Sequence, residues 1–149
     1  MSLTKTKQPF LALSKICLNN WHYIDQKILS FNDGINFFTG HSGSGKSTVI
    51  DAMQIVLYAN TDGRGFFNKA AADDSDRSLI EYLRGMVNIG ENNESQYLRN
   101  QNFSSTIVLE LEQTDTKEKQ CVGVVFDVET ATNEINRLFF WHRSGLLAN

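Results

Sequence analysis

Eight consecutive residues, Gly40-His41-Ser42-Gly43-Ser44-Gly45-Lys46-Ser47, fit the pattern G-x-x-x-x-G-K-[ST] and restrict the possible fold more than any other stretch of the chain. The pattern functions only between a strand and a helix, and both flanks meet that demand. The run Ile35-Asn36-Phe37-Phe38-Thr39 ahead of it is apolar and rich in strand formers. Behind it, Val49, Met53 and Val56 fall on one face at helical spacing, predicting a helix from about Lys46 to Tyr58.

The backbone accounts for the chemistry. Glycines let the loop bend so that successive N–H groups point at one anion, and the positive end of the next helix faces the same point. Gly40, His41, Ser42, Gly43, Ser44 and Gly45 are therefore expected to wrap a phosphate chain, with the amides of Lys46, Ser47 and Thr48 completing the cradle. Lys46 would stabilise the β and γ phosphates as a point charge, and the Ser47 hydroxyl would hold a Mg²⁺ that keeps most of its waters. Thr48 reads as structural. ATP and Mg²⁺ are the expected ligands.

With 149 residues, 41% of them hydrophobic, and a single proline, the chain has the size and composition of one ordered domain. A formal net charge of −3 argues against a free-standing nucleic-acid binder, so any DNA contact should be local or shared with other subunits. Lys5, Lys7, Lys15 and Lys27 make the first thirty residues mildly basic, and Asp73, Asp74 and Asp76 form a short acidic knot. Both read as solvated surface. Cys17 and Cys121 lie in apolar strand-like segments without C-x-x-C spacing, which predicts buried, reduced thiols. His22, His41 and His142 are too scattered for a metal-ligand pattern. No apolar run approaches the ~20 residues that span a bilayer. The N-terminus lacks the apolar core of a secretory signal, so a soluble, cytoplasmic protein is expected.

Along the chain, Phe10 to Leu18 reads as a strand, Asn19 to Tyr23 as a connection and Lys27 to Phe31 as a second strand, with Asn32-Asp33-Gly34 supplying a tight turn into the strand before the glycine loop. Ala59 to Gly65 reads as a loop, Ser78 to Met86 as a short helix opened by Asp76 or Ser78, and Asn88 to Asn102 as polar and exposed. Thr106 to Glu112, Cys121 to Asp127 and Leu138 to Trp141 read as three strands of an antiparallel meander. The expectation is one α/β domain with a mixed, partly antiparallel sheet.

The segment GHSGSGKSTVIDAMQIVL, Gly40 to Leu57, resembles the N-terminal head segment of SMC-type ATPases. The longer series Asn20-Trp21, GINFFTG and FFNKAAADDSDRSLIEYLRG is similar to the SMC-like subunit of bacterial Wadjet anti-plasmid systems (JetC type), and more distantly to MukB-type and other ABC-type heads. The likeness runs from about Phe10 to Trp141. It implies a P-loop NTPase lobe that is half of a head. In that family the C-terminal end of the same polypeptide brings the signature motif, the Walker B aspartate and the catalytic glutamate, and two heads close over two nucleotides. The implied partners are thus a C-terminal head lobe, a second head in a homodimer, and DNA through the full assembly, with no membrane. The chain ends at Asn149 before any heptad pattern, and no Leu-Ser-Gly-Gly signature occurs in it. Residues 1–149 are accordingly expected to be an incomplete head, inactive or weakly active alone.

The resemblance also singles out arginines. Arg64 falls where SMC heads carry an arginine that reaches toward nucleotide or DNA, and Arg84 in Tyr-Leu-Arg-Gly is a second candidate; a plain surface arginine or local ion pair is the competing reading for each. Asn20 and Trp21 either line the nucleotide side of the lobe or, for Trp21, fill the core. The family's Q-loop glutamine has no clear counterpart, since Gln54 falls on the first helix and Gln113 and Gln120 flank a hairpin.

A rival reading starts from Val124-Val125-Phe126-Asp127, an apolar strand ending in an aspartate that would hold the Mg²⁺ water shell, with Glu129 as general base. The chain would then be a self-sufficient small NTPase. Against it, Val128 separates the two acids, and the strand pairs naturally with Thr106 to Glu112. The competing view makes Asp127 a solvated acid at a strand end.

Overall fold

The computed structural model describes residues 8–31, 46–57, 75–89 and 95–146. Its frame is a five-stranded sheet built from β1 (Leu11–Trp21), β2 (Ile24–Ser30), β5 (Phe103–Gln113), β6 (Lys119–Glu129) and β7 (Glu134–His142), in the order β2-β1-β5-β6-β7. Every neighbouring pair is antiparallel. Two helices, α1 (Lys46–Leu57) and α2 (Ser75–Arg84), and a small antiparallel pair, β3 (Met86–Ile89) with β4 (Ser95–Tyr97), lie between β2 and β5 in the chain. The expectation of a mixed sheet thus resolves, among the described residues, into antiparallel pairing throughout. The expected strand Ile35–Thr39 and the loop Ala59–Gly65 lie outside the described residues.

Alternation decides which face of the sheet is dry. Residues directly opposite across antiparallel strands share a face, so the rows Ile16–Leu109–Val122 and Leu18–Ile107–Val124–Phe139 define one side. Ile16, Leu18, Ile107, Leu109, Val124 and Phe126 are fully buried there, and they share one core with Val49, Ala52 and Ile55 of α1 and Leu79, Ile80 and Leu83 of α2. Both helices therefore cover the same face. The burial stripe on α1 runs through Val49, Ala52, Ile55 and Val56, while Met53 is only half-buried. It is rotated slightly from the predicted one because the small Ala52 faces the sheet.

The strands extend past their predicted ends for identifiable reasons. β5 starts at Phe103 rather than Thr106 because Ser104 and Ser105 are paired across to Asp127 and Phe126, and the Ser104 hydroxyl donates to the Asp127 carboxylate. β1 continues to Trp21, and a two-residue loop, His22-Tyr23, returns the chain into β2. The first of these loop residues has φ +52°. α2 begins at Ser75 and ends before Gly85, whose φ of +69° stops the helix while its N–H still donates to the Glu81 carbonyl. A Cβ at Gly85 would stand 2.9 Å from the His22 carbonyl oxygen, so the turn also needs the glycine for space. The stretch expected to be merely polar, Asn88 to Asn102, contains part of β3 and all of β4.

Two local irregularities shape β1. Its pairing with β5 shifts between Leu13 and Lys15, and the extra residue, Ser14, gives its carbonyl to the Phe31 N–H at 2.8 Å. Near the other end Asn20 adopts φ +49°, a conformation that asparagine tolerates better than most residues. Its side-chain amide donates to the Ser104 carbonyl at 3.0 Å, and its own carbonyl accepts the Ser105 hydroxyl. The kink breaks alternation, so Trp21 turns toward the helices and is fully buried.

Candidate functional site

The motif residues Gly40, His41, Ser42, Gly43, Ser44 and Gly45 lie outside the described residues, as does Arg64. The next residues are described: the backbone of Lys46 and Ser47 forms the start of α1, and Thr48 is buried in its first turn. The lysine and serine of the motif are helical, as a phosphate-binding loop requires of the residues after its glycines.

Side chains from two other elements converge on this first turn. The Trp21 indole N–H, at the end of β1, donates to the Thr48 carbonyl at 2.9 Å. The Tyr82 hydroxyl, from α2, donates to Asp51 Oδ2 at 2.9 Å. The Trp21 and Tyr82 rings pack with centroids 4.9 Å apart, and His22 stacks on Tyr82 at 4.1 Å. Burial raises the Asp51 carboxyl above its ordinary value, and the Tyr82 bond pulls it back down. Burial likewise raises the Tyr82 phenol, with the Asp51 charge adding to it. For His22, burial lowers the pKa, the Tyr82 carbonyl within 3.3 Å of Nδ1 raises it, and the Arg99 charge lowers it.

Arg99 ties this corner together. Its guanidinium donates to the carbonyls of His22 at 2.6 Å, Leu83 at 2.7 Å and Ile24 at 3.1 Å, so it joins the β1–β2 turn to the end of α2. The sequence offered no sign of this role, because an arginine in a polar stretch looks the same whether it serves backbone carbonyls or solvent. Asp25, 3.7 Å from Arg99, is almost fully exposed and contributes little.

The candidate residues outside the motif divide clearly. Trp21 is a core residue, yet it also touches the helix that carries the motif's lysine, so the two readings of it meet in one side chain. Asn20 shapes β1. Among the described residues Arg84 is neither a plain surface arginine nor half of a local ion pair but is taken up within the fold: it donates to the Arg99 carbonyl at 3.1 Å and to Asn133 and Asn100, and it lies over the Tyr97 ring at 4.1 Å. Asp127 and Glu129 are exposed, and their neighbours Phe126 and Val128 point into the core shared with α1. Alternation therefore puts Asp127 on the face of the sheet opposite α1, bonded to Ser104, where a carboxylate has no path to the head of that helix. Cys17 and Cys121 are free thiols, both raised by burial, and Glu110 raises Cys121 further. Among the described residues no group of His, Cys, Asp and Glu is placed to hold a metal ion, and no helix is long and apolar enough to cross a membrane.

Comparison with known proteins bears on the same stretch. No curated protein matches the chain. Residues 13–74, from β1 through the glycine motif and α1, match the family model described as the P-loop containing region of AAA domain, which supports a P-loop NTPase family and with it nucleotide binding.

Proposed function

We propose that residues 1–149 form the N-terminal, ATP- and Mg²⁺-binding lobe of an SMC-like ATPase head that acts on DNA, in plasmid defence or chromosome handling, as part of a larger assembly. The observation that carries the reading is the unbroken motif Gly40–Ser47 running directly into α1, inside the segment that matches a P-loop family model. In this reading Lys46 and Ser47 serve the phosphates and the Mg²⁺, and Arg64 reaches toward nucleotide or DNA. A C-terminal lobe and a second head close the site and supply the base for the attacking water. Hydrolysis by this chain alone is then poor, because the γ phosphate stays open to solvent. The far-face position of Asp127 favours this division of labour over a self-sufficient enzyme.

The test is calorimetric titration of the 149-residue chain with MgATP, alongside steady-state turnover. Lys46→Ala should weaken binding roughly 10- to 100-fold, the worth of a charge-assisted bond of about 1.5–3 kcal/mol. Asp127→Ala should bind as the wild type does, and neither protein should turn ATP over at an appreciable rate. Turnover that is lost in both variants would make the chain a complete enzyme and remove the half-head reading.

A further inference from the structure

We infer that Tyr82 is a positioning residue for the nucleotide site, holding the amino end of α1 in place through Asp51, beside the Trp21 bond to the Thr48 carbonyl. The inference rests on the nucleotide-binding reading above and assigns that site a support on α2 that the motif does not contain.

Thr48 and Asp51 stand three positions apart on α1, so they neighbour one another on one side of its opening turns. The Tyr82 hydroxyl donates to the Asp51 carboxylate, and the Trp21 indole donates to the Thr48 carbonyl beside it. A single bond to a helix leaves it free to roll or slide. Anchors at two positions three apart, the Tyr82 hydroxyl on Asp51 and the Trp21 indole on Thr48, from rings packed against each other, fix both motions. The end held this way is the one that presents N–H groups to a phosphate, where sub-ångström placement sets the strength of each bond.

Energetics favour an orienting role over a stabilising one. A phenylalanine would fill the same space, and burying a phenol with a half-buried carboxylate costs desolvation that their hydrogen bond only offsets. What the hydroxyl adds is direction. By linkage, a nucleotide that favours the aligned α1 also favours the Tyr82 contacts, so occupancy of the site and the seating of α2 strengthen each other.

A double-mutant cycle on the 149-residue chain tests this, reading MgATP affinity by calorimetry and stability by thermal melting. Tyr82→Phe should weaken MgATP binding roughly 5- to 10-fold, while its melting midpoint stays close to that of the wild type. Asp51→Ala should weaken binding in the same direction, and the double variant should lose no more than Tyr82→Phe alone. Asp51→Asn keeps an acceptor oxygen and should recover most of the affinity lost in Asp51→Ala. Wild-type affinity in Tyr82→Phe, or losses that simply track melting across all the variants, would overturn the positioning role. Absence of Lys46-dependent MgATP binding in the wild type would overturn the nucleotide reading and this inference together, an outcome distinct from the other two.

Discussion

His22 is wedged between two tyrosine rings, 3.8 Å from Tyr23 and 4.1 Å from Tyr82, with the Arg99 guanidinium on its own carbonyl. Burial and that neighbouring charge favour the neutral ring in the folded chain and hold its pKa below 6.5. Between the lowered value and 6.5 the unfolded chain binds more protons, so this contribution to stability is complete above 6.5 and is lost as pH falls through the folded pKa. Unfolding free energy from urea titrations should therefore rise with pH across that window, and His22→Gln should flatten the rise. The sequence showed a lone histidine and no more. Trp21 was legible as an apolar anchor, but its direction was not: the left-handed backbone at Asn20 reverses the alternation that a reader counts from Ile16 and Leu18. Arg84 and Arg99 were equally opaque, since their partners are carbonyls and amides far along the chain.

Strands whose neighbours are adjacent in sequence were the easiest to read. The β5–β6–β7 meander shows alternating apolar residues and polar turns, and it stands where expected, each strand a few residues longer. β1 was harder, because the residue shift at Ser14 breaks the period of two. Leu13 lies opposite Leu111 and Ile16 opposite Leu109, so both face the core although they are three apart. Removing Ser14 restores regular alternation and leaves both Leu13 and Ile16 on the core face. Its deletion should cost about 1 kcal/mol, the worth of the hydrogen bond to Phe31. Deletion of Cys17 would instead force either Ile16 or Leu18 out of the core and should leave the chain unfolded; circular dichroism and urea titration of the two deletions decide the point. A comparable cost for both would mean that the Ser14 shift is itself required. β3 and β4 were missed because such short strands carry too few residues to show any period.

At the scale of the molecule, the motif at 40–47 and its helix were legible, while the scaffold behind them was only partly so. Antiparallel pairing of β1 with β5 joins Asn20 to Ser104, 84 residues apart, and nothing local announces it. The helices α1 and α2 are enclosed between those two strands in the chain and rest on the sheet the strands create together. Closing so long a loop is entropically slow compared with forming the adjacent meander. Pulse-labelling hydrogen exchange during refolding should accordingly find amides of Val122 and Val124 protected before those of Cys17 and Asn19, which face β5 across the distant seam; simultaneous protection would show that this seam forms as early as the hairpins. The same topology governs the newborn chain. When the ribosome has finished Leu57, the glycine motif and the residues of α1 have been made together with the β1–β2 hairpin, but β5, which must lie along the other edge of β1, has not. The apolar side of α1 then has no complete sheet to settle on until synthesis passes His142, and through that interval its core-facing residues stay open to whatever meets the emerging chain.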